Sequence, residues 1–298
     1  MQILQFYRWS AVSVAVLLTA LSPRAGENAA ELRKVALGTG VELNYTESGR
    51  GVPLIFVHGT LGDYSTWESQ MGPFSGSYRA ISYSRRYNYP NSNKMQPRHS
   101  AIVEAEDLAA FIKKLDLGRV HVIGHSYGGY TALFLAIKHP ELVRTLTLSE
   151  PPVVFADDSV EQTKQRVLKQ ARAAFENGDT EGAVRAIIDS TREGAYAKIP
   201  EVFRPLLLRN AEELRALVRS DDMYPPLDRA IVRKIAAPTL LLSGEKSTPS
   251  LKSASTELEQ LLPEKLRKHV VIASADHGMW FQQPGVCRKA VLEFLDGK

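Results

Sequence analysis

One short stretch of the chain could hold a nucleophile. Residues 120–123 are rich in apolar β-branched side chains, Gly124-His125-Ser126-Tyr127-Gly128 follows as a Gly-x-Ser-x-Gly pattern, and residues 131–138 are helix-prone. A strand, a sharp turn and a helix in this order hold the serine on a strained elbow, with its hydroxyl at the amino end of the helix. Such patterns also arise by chance in ordinary turns. The flanking strand and helix favour a nucleophile at Ser126.

The base for this serine is sought among seven histidines. A serine hydroxyl is a weak nucleophile unless a base lies within hydrogen-bond reach. His277 follows a predicted strand near the carboxyl end of the chain, and the order serine then histidine suits a nucleophile and its base. His125 is adjacent to Ser126 and is expected to point elsewhere. We predict His277 as the base and expect surface, strand or helix-end positions for His99, His121, His139 and His269.

Acyl transfer also needs N–H donors for a tetrahedral oxyanion. The backbone amide of Tyr127, directly after the serine, is the first candidate. The second is expected in the loop after the buried strand of residues 53–57. There, His58-Gly59-Thr60 suits the amide of Thr60, with Leu61 as second choice.

The composition limits the classes of function. The 298 residues carry a net charge of +4 with both signs mixed along the chain, so no basic block indicates a nucleic-acid partner. Cys287 is the only cysteine, which excludes an internal disulfide and a cysteine cluster, and we expect it to be a small apolar residue on a helix. The sequence has no phosphate loop, dinucleotide fingerprint or metal-ligand cluster. We therefore predict no cofactor and no metal.

The amino terminus differs in kind from the rest of the chain. Arg8 precedes an apolar run, residues 9–21, which ends at Ser22-Pro23. A run of about thirteen residues, interrupted only by Ser10, Ser13 and Thr19, suits the core of a signal peptide better than a bilayer span. We predict an export signal over residues 1–26 and a periplasmic or secreted protein, with an uncleaved membrane anchor as the alternative.

The order of predicted elements indicates an α/β fold. Strands alternate with helices at short intervals, which is typical of a mostly parallel sheet covered on both faces. The predicted strands are residues 41–47, 53–57, 79–84, 120–124, 144–149, 238–244 and 270–273. Residues 153–232 look wholly helical, with helices at 161–176, 180–190, 201–210 and 211–219. We predict that they cap the carboxyl edge of the sheet, and that residues 27–152 and 233–298 form the core.

The chain resembles the α/β-hydrolase superfamily over residues 35–150 and 235–296. The resemblance rests on three motifs, which are His58-Gly59-Thr60, Gly124-His125-Ser126-Tyr127-Gly128-Gly129 and Ala275-Asp276-His277. It implies an eight-stranded, mostly parallel sheet, a helical cap inserted after the strand that follows the elbow helix, and a Ser–acid–His triad. Ser126 separates this chain from the dehalogenases and epoxide hydrolases of the superfamily, which have an aspartate at the elbow.

The acid is where this chain departs from the commonest pattern of the superfamily. Many relatives carry Gly-x-x-Asp after the strand that follows the cap, whereas this chain has Gly244-Glu245-Lys246-Ser247 there. The other known location is the end of the strand after the elbow helix, where Glu150 precedes two prolines that would fix the chain direction. We predict Glu150 as the acid. Glu245, and then Asp276 or a cap acid, are the alternatives, and Glu150 could instead begin a helix.

Two arginines lie in the irregular loop of residues 85–97. Arg85 and Arg86 stand where relatives often have Asp-x-Arg-Gly. Their guanidinium groups could bind a substrate carboxylate, whereas loop arginines more often form structural ion pairs. The sequence leaves both interpretations open.

Together these residues predict a serine hydrolase that cleaves a carboxylic ester or a related acyl bond of a small to medium-sized substrate. Ser126, His277 and Glu150 would form the triad, and the amides of Thr60 and Tyr127 the oxyanion hole. A lactonase, a C–C bond hydrolase or a cofactor-free perhydrolase would use the same residues. A non-catalytic ligand-binding protein on the same fold is the alternative from another class. The sequence does not fix the substrate or the oligomeric state.

Overall fold

A computed structural model of the protein describes residues 31–155, 160–220 and 222–296. The predicted export signal, residues 1–26, lies outside these ranges, so export stays a prediction. Within the described ranges, no helix has both the length and the apolar character that crossing a membrane requires.

One sheet runs through the described part of the chain. Its strands are β1 (Arg33–Ala36), β2 (Glu42–Ser48), β3 (Val52–Val57), β4 (Tyr78–Tyr83), β5 (Val120–His125), β6 (Val143–Ser149), β7 (Thr239–Gly244) and β8 (Arg267–Ile272). They lie in the order β1-β2-β4-β3-β5-β6-β7-β8. β2 is antiparallel to β1 and β4, and the remaining pairs are parallel. The predicted eight-stranded, mostly parallel sheet is confirmed.

Helices connect the strands as predicted. The first half of the sheet is joined by α1 (Glu68–Ser75), α2 (Ala101–Lys114) and α3 (Tyr127–Lys138). Between β6 and β7 lie the helices of the predicted cap, α4 (Val160–Glu176), α5 (Thr180–Thr191), α6 (Arg204–Leu208), α7 (Ala211–Arg219) and α8 (Arg229–Val232). The chain ends with α9 (Pro249–Leu261), α10 (Met279–Gln282) and α11 (Pro284–Leu295). Short 3₁₀ turns occupy Tyr64–Trp67, Pro140–Leu142, Tyr196–Lys198, Glu201–Phe203 and Glu264–Leu266.

The central strand β3 explains why its sequence is a continuous apolar run. Leu54 and Phe56 pack into one apolar cluster, and Ile55 and Val57 pack into a second. All four side chains are fully buried. Successive side chains of a strand point to opposite faces, so a strand covered on both faces needs apolar residues at every position.

The sheet reverses its winding direction between β3 and β5. These strands are neighbours, yet β3 leads to β4 on one side and β5 leads to β6 on the other. In open α/β sheets, ligands bind at the carboxyl ends of strands where the connections diverge in this way. Val57 of β3 pairs in register with Gly124 of β5. The segments that follow, residues 58–61 and 125–127, therefore leave the sheet side by side.

The segment between β6 and β7 is less regular than predicted. Residues 153–232 are not wholly helical, because Phe155 and Leu227 form a β-bridge. The helix predicted over residues 201–210 is a 3₁₀ turn followed by the short α6. Pro205 has no N–H to donate to the carbonyl of residue 201, which disfavours one continuous helix through this point. The division into core and cap stays a prediction.

Strand β1 was missing from the prediction. Its four residues, Arg33 to Ala36, are mostly exposed, so their side chains carry no apolar alternation. The strand forms through backbone pairing with β2. Pairing of this kind leaves no periodic signal in the sequence.

Candidate active site

Ser126 joins β5 to α3 in the predicted strand, turn and helix. Its backbone has φ +53° and ψ −125°, a conformation that residues other than glycine rarely adopt. The conformation is held because the Ser126 N–H donates to the Ser149 carbonyl at 2.9 Å and its carbonyl accepts the N–H of Tyr130 at 3.1 Å. Ser126 is partly exposed, at a helix amino terminus that favours developing negative charge.

The elbow lies directly against the loop that follows β3. A Cβ at Gly128 would come within 2.3 Å of the Val57 carbonyl oxygen, and one at Gly59 would come within 3.0 Å of the Ser126 Cβ. Both positions therefore require the small glycine residue for the backbones to approach. This contact places the loop that contains Thr60 beside the serine.

Glu150 and His277 meet at the carboxyl edge of the sheet. Nδ1 of His277 lies 2.8 Å from Oε2 of Glu150, and Oε1 of Glu150 accepts the N–H of Gly244 at 2.8 Å. The Glu150 side chain is fully buried, whereas that of His277 is 12% exposed. Burial would raise the pKa of Glu150, but the hydrogen bond and the charge of His277 hold it below its usual value. An ionised carboxylate thus faces the imidazole.

The two alternative acids named from the sequence are engaged elsewhere. Glu245 accepts a backbone N–H from the turn after β8 at 2.7 Å. Asp276 pairs with Arg192 of the segment after α5 at 2.6 Å. Of the three candidates, Glu150 is the one that the structure brings to His277.

His125 holds His277 beside the elbow. Nε2 of His125 donates to the backbone carbonyl of His277 at 2.9 Å, and the two rings lie 4.7 Å apart. Burial and the charge of His277 lower the pKa of His125 to about 3, so its ring is neutral. The Ser126 hydroxyl makes no hydrogen bond to another described residue. Catalytic hydrogen bonds are often long before substrate binds.

The predicted oxyanion donors are the backbone N–H groups of Thr60 and Tyr127. Neither the amide of Thr60 nor that of Tyr127 donates to another residue within the described ranges. The amide of Leu61, the second choice from the sequence, donates to Oε2 of Glu213 at 3.2 Å. The geometry therefore favours Thr60 over Leu61 as the partner of Tyr127.

The two loop arginines form ion pairs within the protein. Arg85 is fully buried, 2.7 Å from Glu213 and 3.1 Å from Glu104. Arg86 donates to both carboxylate oxygens of Asp107, at 2.6 and 2.7 Å. Of the two interpretations that the sequence left open, the structure supports the ion pairs rather than a site for a substrate carboxylate.

The fold and these residues agree with a known family. A sequence model described as alpha/beta hydrolase fold matches residues 52–284, from β3 to the start of α11. The chain belongs to this family. The 2-(acetamidomethylene)succinate hydrolase of Mesorhizobium japonicum is 25% identical to this hydrolase over 272 residues, which cover 89% of this chain and 95% of that protein.

Solved structures show the same fold. A thermophilic esterase from Thermogutta terrifontis superimposes with a TM-score of 0.73 at 22% identity, covering 90% of this chain and 99% of the esterase. The carboxylesterase CesB from Bacillus subtilis superimposes with a TM-score of 0.72 at 19% identity, covering 95% of this chain and 96% of that one.

One buried residue of this α/β hydrolase was not found from its sequence. Glu213 is fully buried although it is an acid on a cap helix. A charged residue within the apolar face of an amphipathic helix is costly unless it is paired. Helical periodicity places residue 213 on that face, so the sequence did contain a signal for a buried, paired acid. The buried positions of α7 are Ala211, Glu213, Leu214, Ala216, Leu217 and Val218.

Other reactive groups do not join the site. Cys287 lies buried on α11, and burial raises the pKa of its thiol to about 12, so the expectation of a small apolar residue on a helix is confirmed. Over the described ranges, no three His, Cys, Asp or Glu side chains are grouped so as to hold a metal ion.

Proposed function

We propose that this α/β hydrolase is a serine hydrolase that cleaves a carboxylic ester or a related acyl bond of a small to medium-sized substrate. The observation that carries the proposal is the 2.8 Å hydrogen bond between Glu150 and His277 at the edge where Ser126 adopts a positive φ. The likeness to an esterase and a carboxylesterase supports it. The three residues are called the elbow triad.

In the acylation step, Nε2 of His277 takes the proton from the Ser126 hydroxyl as the oxygen attacks the substrate carbonyl. The negative charge on the carbonyl oxygen is stabilised by the amides of Thr60 and Tyr127. His277 then gives the proton to the leaving alcohol, and an acyl-enzyme remains. In the second half, His277 takes a proton from water as the water oxygen attacks the acyl carbon. His277 then returns this proton to the Ser126 oxygen as its bond to the acyl carbon breaks, and the carboxylic acid product leaves.

Glu150 supports both steps through the imidazole. Its carboxylate accepts from Nδ1, which keeps Nε2 free to accept a proton and stabilises the imidazolium that forms. Gly244 and His277 each donate to one of its oxygens, so the carboxylate cannot rotate without losing a hydrogen bond. The buried position of Glu150 strengthens its interaction with the imidazolium.

The experiment that tests this proposal is reaction of the full-length protein with a fluorophosphonate probe, followed by peptide mass mapping. We expect an adduct on Ser126, formed as the serine oxygen displaces fluoride. Ser243, which also hydrogen-bonds to a histidine, is a matched internal control and is expected to stay unlabelled. The Glu150→Gln variant should label more slowly, because its imidazole is a weaker base.

Absence of an adduct on a folded protein would contradict a serine hydrolase. The non-catalytic ligand-binding alternative would then be favoured. Labelling of Ser243 at a similar rate would contradict the assignment of the nucleophile. The fold of each sample is checked by circular dichroism before labelling.

A further inference from the structure

The peptide group between Gly59 and Thr60 is held from one side by three donors. The Gly59 carbonyl oxygen lies 2.9 Å from Nδ1 of His58 and accepts from Nη2 of Arg85 at 3.2 Å and from the N–H of Gly62 at 3.1 Å. A peptide group is planar and trans, so its C=O and N–H point in opposite directions. Fixing the Gly59 carbonyl therefore fixes the direction of the Thr60 N–H.

The protonation of His58 is set by its neighbours. Nε2 of His58 accepts the backbone N–H of Arg85 at 3.1 Å. Burial and the charge of Arg85 lower the pKa of His58 to about 3. The ring is therefore neutral with its proton on Nδ1, so it donates to the Gly59 carbonyl.

Arg85 contacts both segments that carry the candidate oxyanion donors. Its Nε donates to the His58 carbonyl at 3.2 Å, in addition to the bond from Nη2 to Gly59. Its guanidinium carbon lies 5.1 Å from the centre of the Tyr127 ring, a cation–π distance. The arginine thus contacts the residues directly before Thr60 and the side chain of Tyr127.

Glu213 connects this arrangement to the cap helix α7. Oε1 of Glu213 accepts from Arg85 at 2.7 Å, while Oε2 accepts the N–H of Leu61 at 3.2 Å. Leu61 has φ +63°, so the chain turns sharply directly after Thr60. The residues before and after Thr60 are therefore both held by the Arg85–Glu213 pair.

We propose that Arg85 and Glu213 are positioning residues of the oxyanion hole, and that contact with helix α7 sets the direction of the Thr60 N–H. Neither side chain touches the substrate. The inference rests on the proposed function, because an oxyanion forms only if Ser126 attacks a carbonyl.

The test compares Glu213→Gln with Asp107→Asn. Leu61 and Arg85 donate to different oxygens of Glu213, and a glutamine at position 213 keeps an oxygen at only one of these two places, so one of the two bonds is lost. Arg85 retains Glu104, so no buried cation is left without a carboxylate. Asp107→Asn makes the same chemical change at the partner of the neighbouring arginine, where no contact with the oxyanion loop is lost.

The decisive readout is the ratio of kcat/KM for 4-nitrophenyl butyrate and its thionoester analogue. Sulfur is a weak hydrogen-bond acceptor, so the thionoester gains little from the Thr60 N–H. We expect Glu213→Gln to lower kcat/KM for the ester by about tenfold or more, within the roughly 10²–10³-fold that follows loss of an oxyanion donor. The thionoester rate should change less than twofold. Asp107→Asn should leave the ratio unchanged.

A second readout does not depend on turnover. Amide hydrogen exchange of the peptide that contains residues 58–62 should become faster in Glu213→Gln and stay unchanged in Asp107→Asn. Equal losses on both substrates, an unchanged ester rate or unchanged exchange in Glu213→Gln would overturn the inference. If the wild type hydrolyses neither substrate and Ser126 takes no phosphonate, the proposed function fails, and the exchange result then decides whether Glu213 holds the loop.

Discussion

The molecule contains a second Ser–His–Glu arrangement, and its hydrogen bonds are more complete than those of the elbow triad. Oγ of Ser243 lies 2.8 Å from Nε2 of His269, and Nδ1 of His269 lies 2.7 Å from Glu259. These three residues are called the strand triad. In the elbow triad the acid lies 2.8 Å from the histidine, but the serine makes no hydrogen bond to a described residue. Hydrogen-bond distances alone would favour Ser243 over Ser126, the proposed nucleophile.

The backbone separates the two triads. Ser126 and Glu150 both have positive φ, +53° and +45°, directly after the strands that lead to them. Ser243 and His269 lie within β7 and β8, whose backbone groups pair along the sheet. A serine inside a strand has no neighbouring amides free to bind an oxyanion. Backbone strain at the strand end therefore accompanies the proposed nucleophile and not Ser243.

The two triads differ in which residue is buried, the acid or the serine. In the elbow triad the acid is fully buried and the serine is partly exposed. In the strand triad Ser243 is 4% exposed, whereas the side chain of Glu259 is 37% exposed. The serine is therefore accessible in the first triad, whereas in the second the acid is the most accessible of the three residues. A screened carboxylate also stabilises an imidazolium less than a buried one.

The largest expected difference is between the two serines. Ser126→Ala removes the proposed nucleophile and should lower kcat for an ester by at least about 10⁴-fold. Ser243→Ala removes a hydroxyl of the same kind and should change kcat less than twofold. Both rates are measured with 4-nitrophenyl butyrate on variants of verified fold. A comparable loss in Ser243→Ala would mean that the strand triad takes part in turnover.

The second-largest expected difference in kcat is between the two acids, Glu150 and Glu259. Glu150→Gln leaves one acceptor oxygen for the donors of His277 and Gly244, so the imidazole loses its orientation and its charge partner. We expect kcat to fall by about 10³–10⁴-fold, as for a triad whose acid becomes an amide. Glu259→Gln should leave kcat within twofold. Near wild-type turnover in Glu150→Gln would move the acid back to Glu245.

The elbow triad could be predicted because its signals are local. Ser126 lies between an apolar strand and a helix, and Glu150 and His277 each follow a strand, so all three reach one sheet edge. Glu213 could not be placed on the loop, because its partner Leu61 is 152 residues away and the contact depends on how α7 packs.

The strand triad was not predictable for a related reason. His269 was expected in one of three ordinary positions, and it does lie in a strand. Its contact with Ser243 follows from the pairing of β7 with β8, in which Leu241 faces His269. The sequence has no motif around Ser243 or His269 that indicates this register. The register is set by how the two strands pair in the folded sheet.

The contribution of Glu150 to the free energy of unfolding should depend on pH. The pKa of Glu150 in the folded protein lies below its ordinary value of 4.5. A lowered carboxyl pKa stabilises the fold above the unfolded pKa, and this contribution is lost as the pH falls through the folded pKa. At pH 7, Glu150→Gln should lower the free energy of unfolding by about 1–3 kcal/mol. Urea denaturation should show that this deficit narrows below pH 4.5. A deficit that grows on acidification would contradict an ionised, stabilising Glu150.

The smallest expected effect is on the stability supplied by the strand triad. Because Glu259 is over a third exposed, its pair with His269 is screened by solvent and should contribute no more than about 1 kcal/mol to the free energy of unfolding. Urea denaturation of Glu259→Gln at pH 6 is expected to show a loss within this limit, and 1 M salt should reduce it further, since a Debye length of about 3 Å screens the pair. A loss of about 3 kcal/mol, insensitive to salt, would mean that Glu259 is as well shielded as Glu150. The contrast in burial between the triads would then no longer support Ser126, rather than Ser243, as the proposed nucleophile.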